Sequence, residues 1–175
     1  MKEHKEDQSM VLNEKKNNKM RKKRAKKRYL TPDSKFNSQL ATRFVNNIML
    51  DGKKNVAFKI FYEALDGVSQ KIDDSESIKV WEKALENVMP HVEVRSRRIG
   101  GATFQIPHPI REDRRISLAM KWMINAARNR NEKTMSQRLA SEIVAAYKEE
   151  GASFKKKQDT HKMAEANKAF SHFRF

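Results

Sequence analysis

Apolar residues recur with helical spacing from Asn37 to Val88 and again from Arg111 to Phe170, and a single run between them breaks that pattern. In Arg95-Ser96-Arg97-Arg98-Ile99-Gly100-Gly101-Ala102-Thr103-Phe104-Gln105-Ile106-Pro107, two alternating stretches flank a glycine pair, which is the pattern of a β-hairpin. A lone two-stranded ribbon has too little apolar surface to be stable by itself. The chain must therefore fold as a helical body that carries a ribbon. A ribbon with three arginines near its tip reads as an arm that reaches a polyanion, not as a piece of core.

The hairpin spans about 91–109, with Val92 and Val94 on one face of its first strand and Phe104 and Ile106 on one face of its second. Pro107 and Pro109 stop it. Before it, Leu40, Ala41, Phe44, Val45, Ile48 and Met49 form one helical stripe, Asp51-Gly52 breaks the period, and Val56, Ala57, Ile60, Phe61, Ala64, Leu65 and Val68 form a second. Asp73-Asp74-Ser75-Glu76 offers N-cap chemistry for a third helix bearing Ile78, Trp81, Leu85 and Val88, ended by Pro90. After the ribbon a fourth helix runs from about Arg111 to Arg130, with Ile116, Ala119, Met123 and Ala126 on its stripe and Leu118 and Trp122 widening it. Thr134 is a plausible cap for a fifth, with Met135, Leu139, Ile143 and Tyr147, closed by Gly151. A sixth, short and amphipathic, opens with Lys155-Lys156-Lys157 and carries Met163, Ala166 and Phe170. The fold class is mainly α: six helices in one domain, with a β-hairpin protruding between the third and fourth, and a flexible basic N-terminal arm.

That arm follows from charge. The 175-residue chain carries a formal net charge of +16 and has a pI near 10.1, which marks proteins neutralised by phosphate backbones or anionic membranes. No apolar run approaches the roughly 18 residues of a membrane span, and the most basic stretch has no apolar face to insert in a bilayer interface. Nucleic acid is the better partner, and no membrane is expected. Residues 1–30 hold twelve Lys and Arg against four acids, a net +8, and Lys19 to Arg28 holds eight basic residues and no acid. A solvated tail is the bland alternative; a run so dense and one-signed favours binding. Lacking periodicity, the segment is expected to be disordered when free.

Other chemistries are poorly supported. With no cysteine, disulfides and thiolate metal sites are excluded, and the five histidines are scattered, so neither a metal nor a cofactor is expected. No Gly-rich loop precedes a helix, no G-x-S-x-G elbow occurs, and Gly52-Lys53-Lys54 lacks the upstream glycine and the Ser or Thr of a P-loop. The chain does not read as an enzyme. Glu3, Glu6, Asp7 and Glu14 speak against an organellar transit peptide, leaving the cytoplasm as the default compartment.

Candidate contacts to RNA are Arg21, Lys22, Lys23, Arg24, Lys26, Lys27 and Arg28 of the arm; Lys53 and Lys54 at a helix N-terminus, where free N–H groups already favour phosphate; and Arg95, Arg97 and Arg98 of the ribbon, whose planar forks suit phosphate. Arg114, Arg115, Arg128, Arg130 and Lys133 extend the set, although some are expected to pair with Glu112, Asp113 or Glu132. Phe104 either stacks on a base or, slightly favoured, packs against Val92 or Val94. Trp81 and Trp122 are assigned to the core. Gly100 and Gly101 supply the positive φ of a tight turn, and without side chains their tip can be approached closely. The competing class is an architectural DNA-binding protein, but such arms commonly carry an apolar wedge at the tip, where this chain has Gly100-Gly101.

Four segments resemble the bacterial type of the small-subunit ribosomal protein seven family: Ser38 to Ala64 around Gly52-Lys53-Lys54; the hairpin from Val94 to Pro107; Ala126-Ala127-Arg128 with Glu132-Lys133-Thr134-Met135 and Arg138-Leu139-Ala140; and His161-Lys162-Met163-Ala164-Glu165-Ala166-Asn167-Lys168-Ala169-Phe170. Together they cover about Met20 to Phe175. The resemblance implies a primary binder of small-subunit rRNA that nucleates assembly of the head. It also implies that the ribbon tip (Gly100, Gly101) and the C-terminal helix (Lys155, Lys156, Lys157) face exit-site tRNA and the mRNA path. Further partners would be other small-subunit proteins such as nine and eleven, with no homo-oligomer. In some bacteria, members of the family also repress translation of their own operon. On this reading residues 20–35 are the rRNA-binding arm and 36–175 the helical domain. Residues 1–19 depart from the family pattern, as a disordered extension or an upstream initiation codon read into the gene.

Overall fold

A computed structural model of the chain describes residues 28–72 and 76–173. The chain divides at Leu30, and Thr31–Phe175 form one compact unit. Residues 20–27 of the basic arm, the segment 1–19 and the expected capping residues Asp73, Asp74 and Ser75 lie outside the described residues.

Among the described residues, the helices are α1 (Gln39–Ile48), α2 (Lys54–Ser69), α3 (Ser77–Val88), α4 (Glu112–Arg128), α5 (Met135–Tyr147) and α6 (Ala152–Ala166), followed by a 3-10 turn over Lys168–Phe173. The strands β1 (Val92–Ile99) and β2 (Ala102–Pro109) lie between α3 and α4 as one antiparallel pair. Ser38 caps α1, its Oγ accepting from the Ala41 N–H at 3.4 Å, and Thr134 caps α5 in the same way at the Gln137 N–H, 3.3 Å. Ahead of α1, the buried Asp33 carboxylate accepts from the N–H groups of Lys35 and Phe36 and from the Tyr62 hydroxyl at 2.6 Å, tying the entry turn to α2.

The core forms around α5, which packs against α2, α3, α4 and α6. Its buried face is Leu139, Ala140, Ile143 and Ala146, small enough at Ala140 for a close approach. A Cβ added at Gly67 of α2 would lie 3.3 Å from the Ala140 Cβ. Phe44, Phe61 and Trp81, all fully buried, meet with ring centroids 5.2–5.5 Å apart. The Trp81 indole N–H finds no acceptor among the described residues, a cost of about 1–3 kcal/mol. Burying roughly 200 Å² of such a ring at about 25 cal/mol per Å² returns about 5 kcal/mol, so packing outweighs the orphaned donor. Trp122 packs at the edge of the same core.

The last helix departs from the expected stripe. Met163 is 40% exposed, and Phe170 belongs to the 3-10 turn. The helix begins before the lysine run, at Ala152, and buries Ser153, Thr160 and Ala164, small side chains that let it lie close to β1 and α4.

In the ribbon, Ile99 pairs with Ala102 across a two-residue turn in which Gly100 and Gly101 take φ of +56° and +90°. Both values lie in the left-handed region that residues with a Cβ rarely adopt and fit the twist of a hairpin. The register pairs Arg95 with Ile106, Arg97 with Phe104 and Val94 with Pro107. Residues directly opposite share a face, so Phe104 and Ile106 lie on the face opposite Val92 and Val94. The expected packing of Phe104 on those valines is therefore corrected: its ring lies 5.1 Å from that of Phe170 and 5.9 Å from that of Phe173.

Candidate nucleic-acid interface

Ribbon burial is graded. Near its base Glu93, Ile106 and Pro107 are buried, while Ser96, Arg97, Arg98, Ala102 and Thr103 are exposed. The outer half is thus a cationic surface with a bare tip. Arg97 donates from Nη1 to the Phe173 carbonyl at 3.2 Å, and Arg98 from Nε to the Gly101 carbonyl at 3.4 Å.

At the base, the structure gathers cations that are distant in sequence. Arg95 of β1 and Arg114 of α4 both bind Glu93, at 2.7 and 2.8 Å. Burial alone would raise the Glu93 carboxyl, but hydrogen bonds from Arg114 and Arg95 outweigh it and hold the group below its ordinary value. Arg115 donates to the Pro90 carbonyl at 3.2 Å, and Lys157 to the Asn87 carbonyl at 2.7 Å, so both sit where α3 ends. Burial lowers the Lys157 ammonium, with Arg115 adding to the effect. Lys155 and Lys156 of α6 are exposed. Beside Lys157, the His161 ring accepts from the His91 N–H at 3.1 Å, and both imidazoles are lowered, first by burial and then by their cationic neighbours.

A second grouping lies where α1 ends. Arg128 reaches the Ile48 carbonyl at 3.3 Å, a cation at a helix C-terminus. Arg138, which sequence reading passed over as a contact, donates to the Glu132 carbonyl at 2.6 Å and to the Arg128 carbonyl at 3.4 Å. Lys53 and Lys54 open α2, whose N-terminus has no side-chain cap. Lys53 lies 3.9 Å from Asp51, and the Lys54 ammonium sits 5.6 Å from the centre of the Phe58 ring. Lys133 and Arg28 are exposed. Arg21, Lys22, Lys23, Arg24, Lys26 and Lys27 lie outside the described residues.

Arg130 is placed differently. It donates to Glu132 at 3.0 Å, the pairing expected from sequence, and also to the fully buried Glu142 at 2.9 Å. Glu142 in turn accepts from the N–H and the hydroxyl of Ser153, at 3.0 and 2.6 Å, and so caps the start of α6. At Gly151, φ is +95° and an added Cβ would lie 3.0 Å from the Ala145 Cβ and 3.2 Å from Glu142 Oε1, so only glycine fits beside this cap. Arg114 binds Glu93, an acid of the ribbon 21 residues away in the chain. Sequence reading missed Arg43, whose Nη2 donates to Ser117 Oγ at 2.6 Å and to the Asp113 carbonyl at 3.0 Å, joining α1 to α4.

A helical body with one cationic ribbon, and cations gathered at the ribbon base and at the α1–α2 turn, defines a basic, ribbon-bearing helical protein. Comparison with known proteins gives that class its family. The model for ribosomal protein S7p/S5e matches residues 20–168. Small ribosomal subunit protein uS7 of Flavobacterium psychrophilum is 69% identical over 158 residues, 89% of this chain and 100% of that protein. The uS7 of Flavobacterium johnsoniae is 68% identical, and that of Bacteroides fragilis 53% identical, each over the same shares. The chain belongs to the ribosomal protein S7p/S5e family, a family of ribosomal structural proteins and not of enzymes.

Proposed function

We propose that this chain, a structural component of the small ribosomal subunit, is a primary binder of small-subunit rRNA that nucleates assembly of the head. Small-subunit proteins of bacteria belong to the cytoplasmic ribosome. The observation that carries the RNA reading is the outer half of the ribbon, where exposed Arg97 and Arg98 flank a tip without side chains. Folded RNA is recognised by shape, phosphates and unpaired bases, and a narrow arginine-bearing ribbon suits the gaps between its helices. The basic arm adds affinity through counterion release without reading much sequence. The Gly100-Gly101 tip and exposed Lys155 and Lys156 are assigned to the side facing exit-site tRNA and the mRNA path. Small-subunit proteins nine and eleven are the proposed neighbours, and the same RNA-binding surface would serve repression of its own operon.

The test is a filter-binding competition between a structured head rRNA fragment and duplex DNA at moderate salt. Preference for the rRNA fragment is expected. Equal affinity would favour an architectural DNA-binding protein instead.

A further inference from the structure

Glu93 is an acid in the middle of a cationic surface, and its surroundings differ from those of the other acids near it. The Lys–acid pairs of the helices, such as Lys59 with Glu63 and Lys79 with Glu76, have both partners about half exposed or more, the usual solubilising arrangement. The Glu93 side chain is 11% exposed and accepts from two guanidinium groups that arrive from different elements. Arg95 of β1 directs Nε and Nη2 to Oε1, at 2.8 and 2.7 Å. Arg114 of α4 directs Nε to both oxygens, at 3.0 and 2.9 Å, and Nη2 to Oε2 at 2.8 Å. Each fork turns its Nε–Nη2 edge inward, which leaves the Nη1 edge for an outside partner. The two arginine side chains are 57% and 50% exposed.

We infer that Glu93 is a positioning residue: it fixes the outer edges of Arg95 and Arg114 as one preformed seat for a backbone phosphate of folded ribosomal RNA. The inference rests on the RNA-binding reading above and deepens it. An arginine side chain loses much rotamer freedom when it orders on a ligand. A carboxylate that orders two of them beforehand removes that loss, while the trio keeps a net positive charge to attract the phosphate. The planar fork has two usable edges, which lysine lacks, so one edge can be anchored and the other offered.

The test turns on sign. Glu93→Gln removes a negative charge from a polyanion-binding surface, so a ribbon acting by charge alone would bind RNA more tightly. Positioning predicts the opposite. Filter binding of the full chain to the head rRNA fragment should weaken on the order of tenfold, the equivalent of one charge-assisted hydrogen bond. The slope of log K against log salt should become shallower by about 0.7–0.9, a change that a purely structural role would not produce. A thermal melt shows whether the variant is folded. If it is not, the double variant Arg95→Lys/Arg114→Lys, which keeps both charges but neither fork, should show the same weakening. Unchanged or tighter binding by folded Glu93→Gln, or unchanged binding by the double lysine variant, overturns the inference. So does a loss seen only with an unstructured oligonucleotide of equal length. Failure of the wild-type chain to bind the fragment would instead sink the RNA reading itself, and the seat with it.

Discussion

Arg130 belongs to the cationic set by residue type, but its partners, Glu132 and the buried Glu142, give it a structural role. In Arg130→Ala the fully buried Glu142 is left without the guanidinium that offsets its charge from 2.9 Å away. Removing one partner of a buried pair costs roughly 3–5 kcal/mol. Here Glu142 keeps two hydrogen bonds from Ser153, and Arg130 is itself 32% exposed, which places the loss at the lower end, about 3 kcal/mol. In a unit of this size that lowers the melting temperature by roughly 6–12 °C. Thermal denaturation followed by circular dichroism measures it. The double variant Arg130→Ala/Glu142→Gln, which removes the stranded charge, should recover part of the loss, with a coupling of about 2 kcal/mol between the sites. Below its melting temperature, Arg130→Ala should bind RNA with the wild-type salt slope. An unchanged melting temperature together with a slope shallower by about one would refute the structural role and return Arg130 to the RNA surface.

Three further outcomes are expected. Deleting residues 21–28 should flatten the salt slope by about 0.7–0.9 for each phosphate that the arm no longer neutralises; an unchanged slope would mean the arm takes no part in binding. His161 accepts the His91 N–H only through a deprotonated ring nitrogen, and both rings are held below the ordinary 6.5. The unfolded chain therefore takes up protons first, so stability is full above pH 6.5 and declines as pH falls through the lower folded values. Melting profiles of the wild type and of His161→Gln, an uncharged acceptor, should diverge as pH falls below about 6.5, and identical profiles would exclude this linkage. Phe104→Ala removes the ring packing against Phe170 and Phe173; because Phe104 is only partly buried, the cost should be about 1–2 kcal/mol. Amide exchange should accelerate in the ribbon before it does in α5, and uniform acceleration would contradict a local role.

The first five helices were legible in the sequence because each has one apolar stripe, and the ribbon because its period changes from 3.6 to 2 around a glycine pair; α6, which buries Ser153, Thr160 and Ala164, has no such stripe. The face of Phe104 was legible too, had the turn been counted. With Ile99 opposite Ala102, partners across the ribbon always differ in parity, so Phe104 cannot share a face with Val92 or Val94. Glu142 left a fainter trace: it stands three residues after Leu139 and one before Ile143, an acid within an apolar stripe, and such a residue needs a partner. Nothing local points from Glu142 to Arg130 or Ser153, since those pairings depend on how α5 and α6 pack. Arg43 and Arg114 were illegible for the same reason. Their acceptors are 21 or more residues away in the chain, and only tertiary packing selects them.

The meeting of Phe104 with Phe170 and Phe173 also sets an order of events at synthesis. The ribbon leaves the translating ribosome long before the aromatic rings that cover it, because more than sixty residues separate Pro109 from Phe173. At about 5–20 residues per second the delay is roughly 3–13 s. Over that interval the strands can pair, since hairpins form in about 1–10 μs, but Phe104 has no ring to meet. The ribbon proposed to meet the polyanion is therefore completed only when the aromatic turn at 168–173 has closed over it.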